Sequence, residues 1–79
     1  MTGIAGAVEA LLLMATEPVP VSDLAEAVDA PVAEVEECLA GLVSFYDETG
    51  RGFELRNVGS GWRYYTREEH ADVIGRWLL

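Results

Sequence analysis

Lysine is absent from this 79-residue sequence, whose basic residues are five arginines and one histidine. Fourteen acidic residues outnumber them and give a formal net charge of −9. Because nucleic acids are polyanions, a charge of this sign disfavours them as partners of the whole chain. Hydrophobic residues make up 51% and charged residues 24% of the sequence, as in a folded globular chain. The length predicts one small domain with a single core.

Cysteine and histidine each occur only once, as Cys38 and His70. A single cysteine excludes an intrachain disulfide, and the two residues do not make a zinc-ligand set. Cys38 lies among apolar residues without a neighbouring base, so we interpret it as a core residue rather than a nucleophile. No lysine follows the glycines as a phosphate-binding loop would require. We therefore expect no catalytic residues, no cofactor and no metal, and hence no enzyme.

Long apolar runs are missing as well. The run Ile4–Ala15 is interrupted by Glu9 and is far shorter than the ~20 residues of a membrane span. The first basic residue is Arg51, so the sequence does not open with the cationic region of a signal peptide. We expect neither a signal peptide nor a membrane anchor, and a cytoplasmic location.

The first predicted element is a helix over residues 3–15 with two apolar rows. One row follows the 3.6-residue period of a helix face that packs on a core: Ile4, Val8, Leu11, Leu12 and Ala15. The second row consists of Ala7, Ala10 and Met14. This second row either meets a partner protein or is covered by later elements of the same domain, and the sequence leaves both alternatives open.

The remaining pattern predicts two more helices, a hairpin and a last helix. Ser22 is expected to cap a helix over 23–29, and Pro31 to occupy the first position of a helix over 32–47 that ends before Gly50. A period of two predicts strands over 52–58 and 61–66. The last helix is then expected over 67–79, capped by Thr66 in a capping box. The predicted fold class is α+β, mainly α: a winged helix-turn-helix of three helices, a β-hairpin wing and a C-terminal helix.

The charges of this predicted fold argue against recognition of DNA in its major groove by the third helix. Residues 32–48 contain five acidic residues and no base, although a recognition helix must approach phosphates. The wing differs, since four arginines lie within it or beside it: Arg51, Arg56, Arg63 and Arg67. They either touch phosphates weakly, Arg56 and Arg63 above all, or pair with the acidic helices, and we favour the pairing.

Apolar side chains are expected at the surface. Strand alternation places Tyr65 on the face opposite Trp62 and Tyr64, where it either contacts a partner or lies against the last helix. Aromatic rings and methionine are favoured at interfaces, and small residues allow helices to approach closely. We therefore predict a protein interface at the candidate residues Ala7, Ala10, Met14 and Tyr65. The apolar ending Trp77–Leu79 suggests a connector within a longer protein.

Several segments together resemble the segregation and condensation protein B family. They are Glu9–Leu12 with Glu17–Pro18, Asp23–Ala25, Val35–Glu36 with Leu39, Leu42 and Tyr46, Arg51–Leu55, Gly61–Arg63 and Thr66–Arg67. The resemblance covers nearly the whole chain, although Pro31 stands where the family often has a serine or threonine cap.

The resemblance implies a non-enzymatic bacterial protein of the cytoplasm, associated with the nucleoid, with two tandem winged-helix domains. Such a protein forms a homodimer and binds the kleisin subunit, segregation and condensation protein A. Through the kleisin it joins the SMC complex that condenses and segregates chromosomes. Residues 1–79 would be its N-terminal winged-helix domain. A DNA-binding winged-helix transcriptional regulator that uses the wing arginines is the alternative.

Overall fold

A computed structural model describes residues 3–79 as four α-helices, a two-stranded hairpin and a short 3₁₀ turn. In chain order these are α1 (Ala5–Met14), α2 (Val21–Val28), α3 (Val32–Glu48), β1 (Phe53–Asn57), β2 (Trp62–Thr66), the 3₁₀ turn Glu68–His70, and α4 (Ala71–Leu78). This order confirms the predicted winged helix-turn-helix.

α1 is shorter than the sequence pattern predicts. Gly3 has a φ of +63°, which a right-handed helix does not admit, so the helix begins at Ala5. Val8 and Leu12 of the predicted inward row are buried, but Leu11 is 36% exposed, and Ala5 takes the buried place instead. The row is therefore rotated by a few tens of degrees from the prediction, because the true centre of the buried face lies between Ala5 and Val8.

The predicted starts of α2 and of the last helix are wrong, whereas the predicted start of α3 at residue 32 is confirmed. Pro20 occupies the N-cap position of α2, so Ser22 lies inside the first turn and does not cap it. Pro31 is likewise the N-cap residue of α3, with an extended ψ of 146°, rather than its first helical residue. Thr66 is the last residue of β2, and Arg67 is the N-cap residue of the 3₁₀ turn without a side-chain hydrogen bond, so the capping box predicted at Thr66 does not form. The last α-helix begins at Ala71, after the 3₁₀ turn, rather than at residue 67.

The turn between α2 and α3 and the end of α3 are both closed by residues in left-handed backbone geometry. Asp29 has a φ of 54°, and Ala30 N–H donates to the Ala25 carbonyl at 3.1 Å. At the end of α3, Gly50 has a φ of 64°, and Arg51 N–H donates to the Tyr46 carbonyl at 3.2 Å. Both are Schellman closures, and the role predicted for Gly50 is confirmed.

The core lies where the three helices meet the inner face of the hairpin. Its buried residues are Ala5, Val8, Leu12, Leu24, Ala25, Val35, Leu39, Leu42, Tyr46 and Leu55. The set includes the whole predicted inward stripe of α3, with Cys38 and Val43 half-buried beside it. Leu55 is the residue of β1 that reaches this core.

The hairpin, which forms the wing, is antiparallel, with Leu55 opposite Tyr64 and Arg56 opposite Arg63. Its second strand is also held by the linker before α2, because Val19 and Trp62 exchange two backbone hydrogen bonds of 2.8 Å. Gly61 makes this approach possible, since a Cβ there would lie 2.4 Å from the Val19 carbonyl carbon. The linker thereby fixes the position of the wing against the helices.

Candidate protein interface

The face of α1 that points away from the core is apolar and uncovered. Its residues are Gly6, Ala7, Ala10, Leu13 and Met14, all exposed. Leu13 is 78% exposed and Met14 79%. The sequence left open whether later elements of the domain cover the row Ala7, Ala10 and Met14. Within residues 3–79 they do not, because all three residues are exposed. We call this surface the α1 face.

A groove runs between the α1 face and the wing. It has a volume of about 590 Å³ and is lined by Gly6, Glu9, Ala10, Leu13, Tyr46, Phe53 and Tyr64. The rings of Tyr46, Phe53 and Tyr64 stack edge to face or tilted, with centroids 5.0–5.7 Å apart. The α1 face is therefore continuous with an aromatic wall that belongs to α3 and the wing.

Three polar groups lie at this groove and join three elements. The Tyr46 hydroxyl of α3 donates to the Glu9 carboxylate of α1 at 2.5 Å. Because that proton is engaged, the Tyr64 hydroxyl of β2, 2.8 Å away, donates to Tyr46. Burial, followed by the hydrogen bond to Glu9, raises the pKa of Tyr46 far above its usual range, and burial also raises the pKa of Tyr64. Both phenols therefore stay protonated, and the network fixes the groove in shape.

The sequence pattern did not predict this hydrogen-bond network, although Glu9 was an indication of it. Glu9 is the single charged residue within α1, and an acid inside an otherwise apolar helix needs a hydrogen-bonding partner when it is partly buried. The spacing of Glu9, Tyr46 and Tyr64 in the sequence does not predict their contact, because the three residues belong to separate elements.

A second groove lies between the start of α1 and α3, with a volume of about 560 Å³. Glu34 and Glu37 stand on its α3 side, and Cys38 lines it. Burial raises the pKa of the Cys38 thiol, and the charges of Glu9 and Glu34 act in the same direction. Cys38 is therefore protonated at neutral pH, in keeping with a packing role.

The outward side of the wing carries Arg56, Arg63 and Tyr65. The guanidinium carbons of Arg56 and Arg63 lie 5.2 and 5.8 Å from the centre of the Tyr65 ring. Tyr65 is thus on the face opposite Tyr64, as predicted, and two arginines lie over its ring. Because Ala10 adjoins the Tyr64 side, the structure does not bring Tyr65 into one patch with the α1 candidates.

The expected pairing of the wing arginines with the acidic helices is wrong for all but one of them. Within residues 3–79, Arg67 alone forms such a pair, with Asp47 of α3 at 2.9 Å. Arg51 stacks on Phe45, with 5.6 Å between the guanidinium carbon and the ring centre. Arg51, Arg56 and Arg63 lie over aromatic rings instead of pairing with acids.

α3 offers a nucleic acid only repulsion. Glu34, Glu36 and Glu37 are all exposed on its outward face, as predicted. DNA recognition by α3 therefore has no electrostatic support, and the alternative of a DNA-binding regulator would have to rest on the wing arginines alone.

α4 leaves its apolar side open. Each of its residues is exposed or half-buried, and Val73, Trp77 and Leu78 are 50%, 84% and 71% exposed. Every helix within residues 3–79 is too short or too polar to cross a lipid bilayer. In the same range, no three side chains of histidine, cysteine, aspartate or glutamate are grouped so as to hold a metal ion.

Comparison with known proteins connects this chain to one family. A profile of the family described as "Segregation and condensation complex subunit ScpB" matches residues 6–79. The chain is 44% identical over 69 residues to segregation and condensation protein B of Syntrophotalea carbinolica, covering 87% of this chain and 35% of that protein. It is 39% identical over 70 residues to the protein of the same name from Desulforamulus reducens, covering 89% of this chain and 39% of the other. The chain thus spans less than half the length of these relatives.

Solved structures show the same similarity. ScpB from Mycobacterium tuberculosis superposes with a TM-score of 0.92 at 33% identity, over 95% of this chain and 47% of that one. A structure described as a dimer of ScpB N-terminal domain complexed with ScpA peptide matches with a TM-score of 0.88 at 23% identity. That match covers 98% of this chain and 93% of the other, and at this identity it shows a shared fold.

Proposed function

Because the chain belongs to the segregation and condensation complex subunit ScpB family, we propose that it acts in bacterial chromosome condensation and segregation as a non-enzymatic interaction module. In this proposal it is the N-terminal winged-helix domain of a longer protein with two tandem winged-helix domains, located in the cytoplasm and associated with the nucleoid. The coverage of 35% and 47% of two relatives supports the assignment to one part of a longer protein.

The observation that carries the proposal is the uncovered α1 face beside a rigid aromatic groove. Large apolar side chains exposed to water favour burial by about 25 cal/mol per Å² of contact. Small residues such as Ala7 and Ala10 let a second helix approach closely, while Met14 adapts to its surface. We assign self-association to this face, with Ala7, Ala10 and Met14 as its contact residues.

The proposed partners are a second copy of the protein and the kleisin subunit, segregation and condensation protein A. The fold match to an ScpB N-terminal domain that is itself a dimer with a bound ScpA peptide supports both. SMC would be reached through the kleisin. Tyr65, on the other side of the wing, is the candidate residue for partner docking.

The self-association is tested by sedimentation of the chain and of its Ala10→Glu variant. A carboxylate at Ala10 would be buried without a partner in the dimer but stays hydrated in the monomer, where this position is exposed. We expect the variant to sediment as a monomer at concentrations where the parent is a dimer, with an unchanged helical circular dichroism spectrum.

Ala33→Glu is the matched control, since it adds the same charge at an exposed position in the first turn of α3, which tolerates acids. Its mass should equal that of the parent chain. Equal dimer fractions for Ala10→Glu and the parent would contradict the assignment of the α1 face. Adding a kleisin segment in a further run separates the mixed complex from the self-dimer by mass.

A further inference from the structure

The outward side of the wing contains an electrostatic conflict. We call it the outer wing face and define it by Glu54, Arg56, Arg63 and Tyr65, which alternate with the residues that face the core. Arg56 and Arg63 are directly opposite each other in the register. Like charges at directly opposed positions destabilise an antiparallel pair, so this arrangement costs the isolated domain free energy.

No ion pair within the described part of the chain neutralises Arg56 or Arg63. The arginine ion pair among residues 3–79 is that of Arg67 with Asp47, and it involves neither Arg56 nor Arg63. Both guanidinium groups lie instead over the Tyr65 ring, 5.2 and 5.8 Å from its centre. Stacking restricts the two long side chains before any ligand arrives, which lowers the entropy lost on binding.

We propose that the outer wing face is a docking site for a short acidic segment of a partner protein, whose carboxylates are bound by Arg56 and Arg63 against the Tyr65 ring. A guanidinium donates two parallel hydrogen bonds to one carboxylate, and these charge-assisted bonds are the strong ones. The arriving charge also removes the repulsion between the two arginines. The Tyr65 ring supports both guanidinium groups from beneath and keeps them side by side for the ligand.

The spacing of the two arginines suits an acidic pair on a helix. Opposed residues of an antiparallel pair have Cβ atoms about 4.5–5.5 Å apart. Side chains at positions i and i+4 of a helix are about 5–6 Å apart. A helix with glutamates at i and i+4 therefore presents one carboxylate to each guanidinium.

The observations favour a protein segment over the two other possible occupants. A nucleic acid would gain only two phosphate contacts here, while the rest of a chain of net charge −9 repels it. A second copy would bring another nine negative charges, whereas a short segment brings two or three. The inference rests on the proposed interaction role of the chain and specifies the docking assigned to Tyr65.

The test is a titration of the isotopically labelled chain, followed by nuclear magnetic resonance, with an alanine-rich helical peptide bearing one Glu pair at i and i+4. A peptide with Gln in place of both Glu residues is the reference. We expect the Glu peptide to shift the side-chain resonances of Arg56, Arg63 and Tyr65, and to bind at least about tenfold more tightly than the Gln peptide.

Variants of the chain locate the binding. Arg56→Gln with Arg63→Gln should weaken binding of the Glu peptide at least about tenfold, because both charge-assisted contacts are lost. Arg51→Gln with Arg76→Gln removes the same charge at two exposed positions outside the face and should leave affinity within about twofold, since distant surface charges are screened. Tyr65→Leu should weaken binding less than the arginine pair does.

Three results would overturn the proposal. The first is an equal loss of affinity in both double variants, which would reduce the effect to net charge. The second is a short DNA duplex that binds more tightly than the Glu peptide through the same arginines. The third is loss of self-association on sedimentation of the Arg56 and Arg63 double variant, which would make a second copy the occupant. The peptide titration and the Ala10→Glu sedimentation can fail independently, so they separate this inference from the proposed function.

Discussion

The two faces of the wing are made by the same ten strand residues and have opposite physical characters. On the inner face, Leu55 is 3% exposed and the Tyr64 ring packs edge-on against Tyr46 of α3. On the outer face, Tyr65 is covered by two guanidinium groups. Tyr64 and Tyr65 are neighbours in sequence, yet Tyr64 packs against the core and Tyr65 lies beneath two arginines on the opposite face.

This difference between the two faces of the wing shows how an 8.6 kDa domain can keep residues for binding that are not needed in its core. A strand that is buried on one face needs only every second residue for stability. The inner residues are therefore constrained by packing and by hydrogen bonds. The outer residues are not part of the buried core, so an unfavourable Arg–Arg pair does not disturb its packing.

The largest expected contrast between the faces comes from truncating Leu55 and its neighbour. Leu55→Ala leaves a cavity in the core and should lower the free energy of unfolding by about 2–5 kcal/mol. Arg56→Ala, one residue later on the outer face, should change it by less than about 0.5 kcal/mol. Urea unfolding followed by circular dichroism measures both, and similar losses would show that the two faces are not energetically distinct.

A smaller contrast is expected from removing single hydroxyl groups. Tyr46→Phe takes away the hydroxyl that joins Glu9 to Tyr64 and leaves both partly buried groups without that contact. It should cost about 1–3 kcal/mol in the same unfolding measurement. Tyr65→Phe is the control on the outer face, where we expect less than about 0.5 kcal/mol. An unchanged free energy of unfolding in Tyr46→Phe would mean that water replaces the lost hydrogen bonds.

The smallest effect should have the opposite sign. Arg63→Glu converts the opposed Arg–Arg pair into an Arg–Glu pair and should stabilise the hairpin by about 0.2–1 kcal/mol. The same variant should lose binding of the acidic peptide. Thermal unfolding at low salt measures the gain, with Arg76→Glu on α4 as the control of equal charge change. Destabilisation by Arg63→Glu alone would show that the arginine pair has a structural role.

The buried half of α3 and the helix order were predictable, because the apolar period of α3 is regular and Gly50 marks its end. The starts of α2 and of the last helix were less predictable. Pro20 rather than Ser22 is the N-cap residue of α2, and Arg67 rather than Thr66 precedes the last helical segment. An N-cap position needs extended backbone, which Pro20 and Arg67 both have, so a nearby serine or threonine does not fix the start of the helix.

The candidate interface shows the same division. The apolar row Ala7, Ala10 and Met14 and the outward direction of Tyr65 followed from the periods of a helix and a strand. Whether that row was covered could not be decided, since cover depends on elements distant in sequence. The predicted pairing of the wing arginines with the acidic helices is confirmed for Arg67 and wrong for the other three, which lie over aromatic rings contributed by separate elements.

Residue spacing alone determined which residues share a face and where the charge lies, because both properties are local or summed over the chain. Membership in the ScpB family was likewise predicted from short sequence segments that occur in the order typical of the family, and the family profile confirms it. Only the tertiary structure decided that Glu9 meets two tyrosines, that the α1 face stays open, and that two arginines converge on one ring. Those facts depend on distances between separate elements, which are set when the core packs and which local periodicity does not encode.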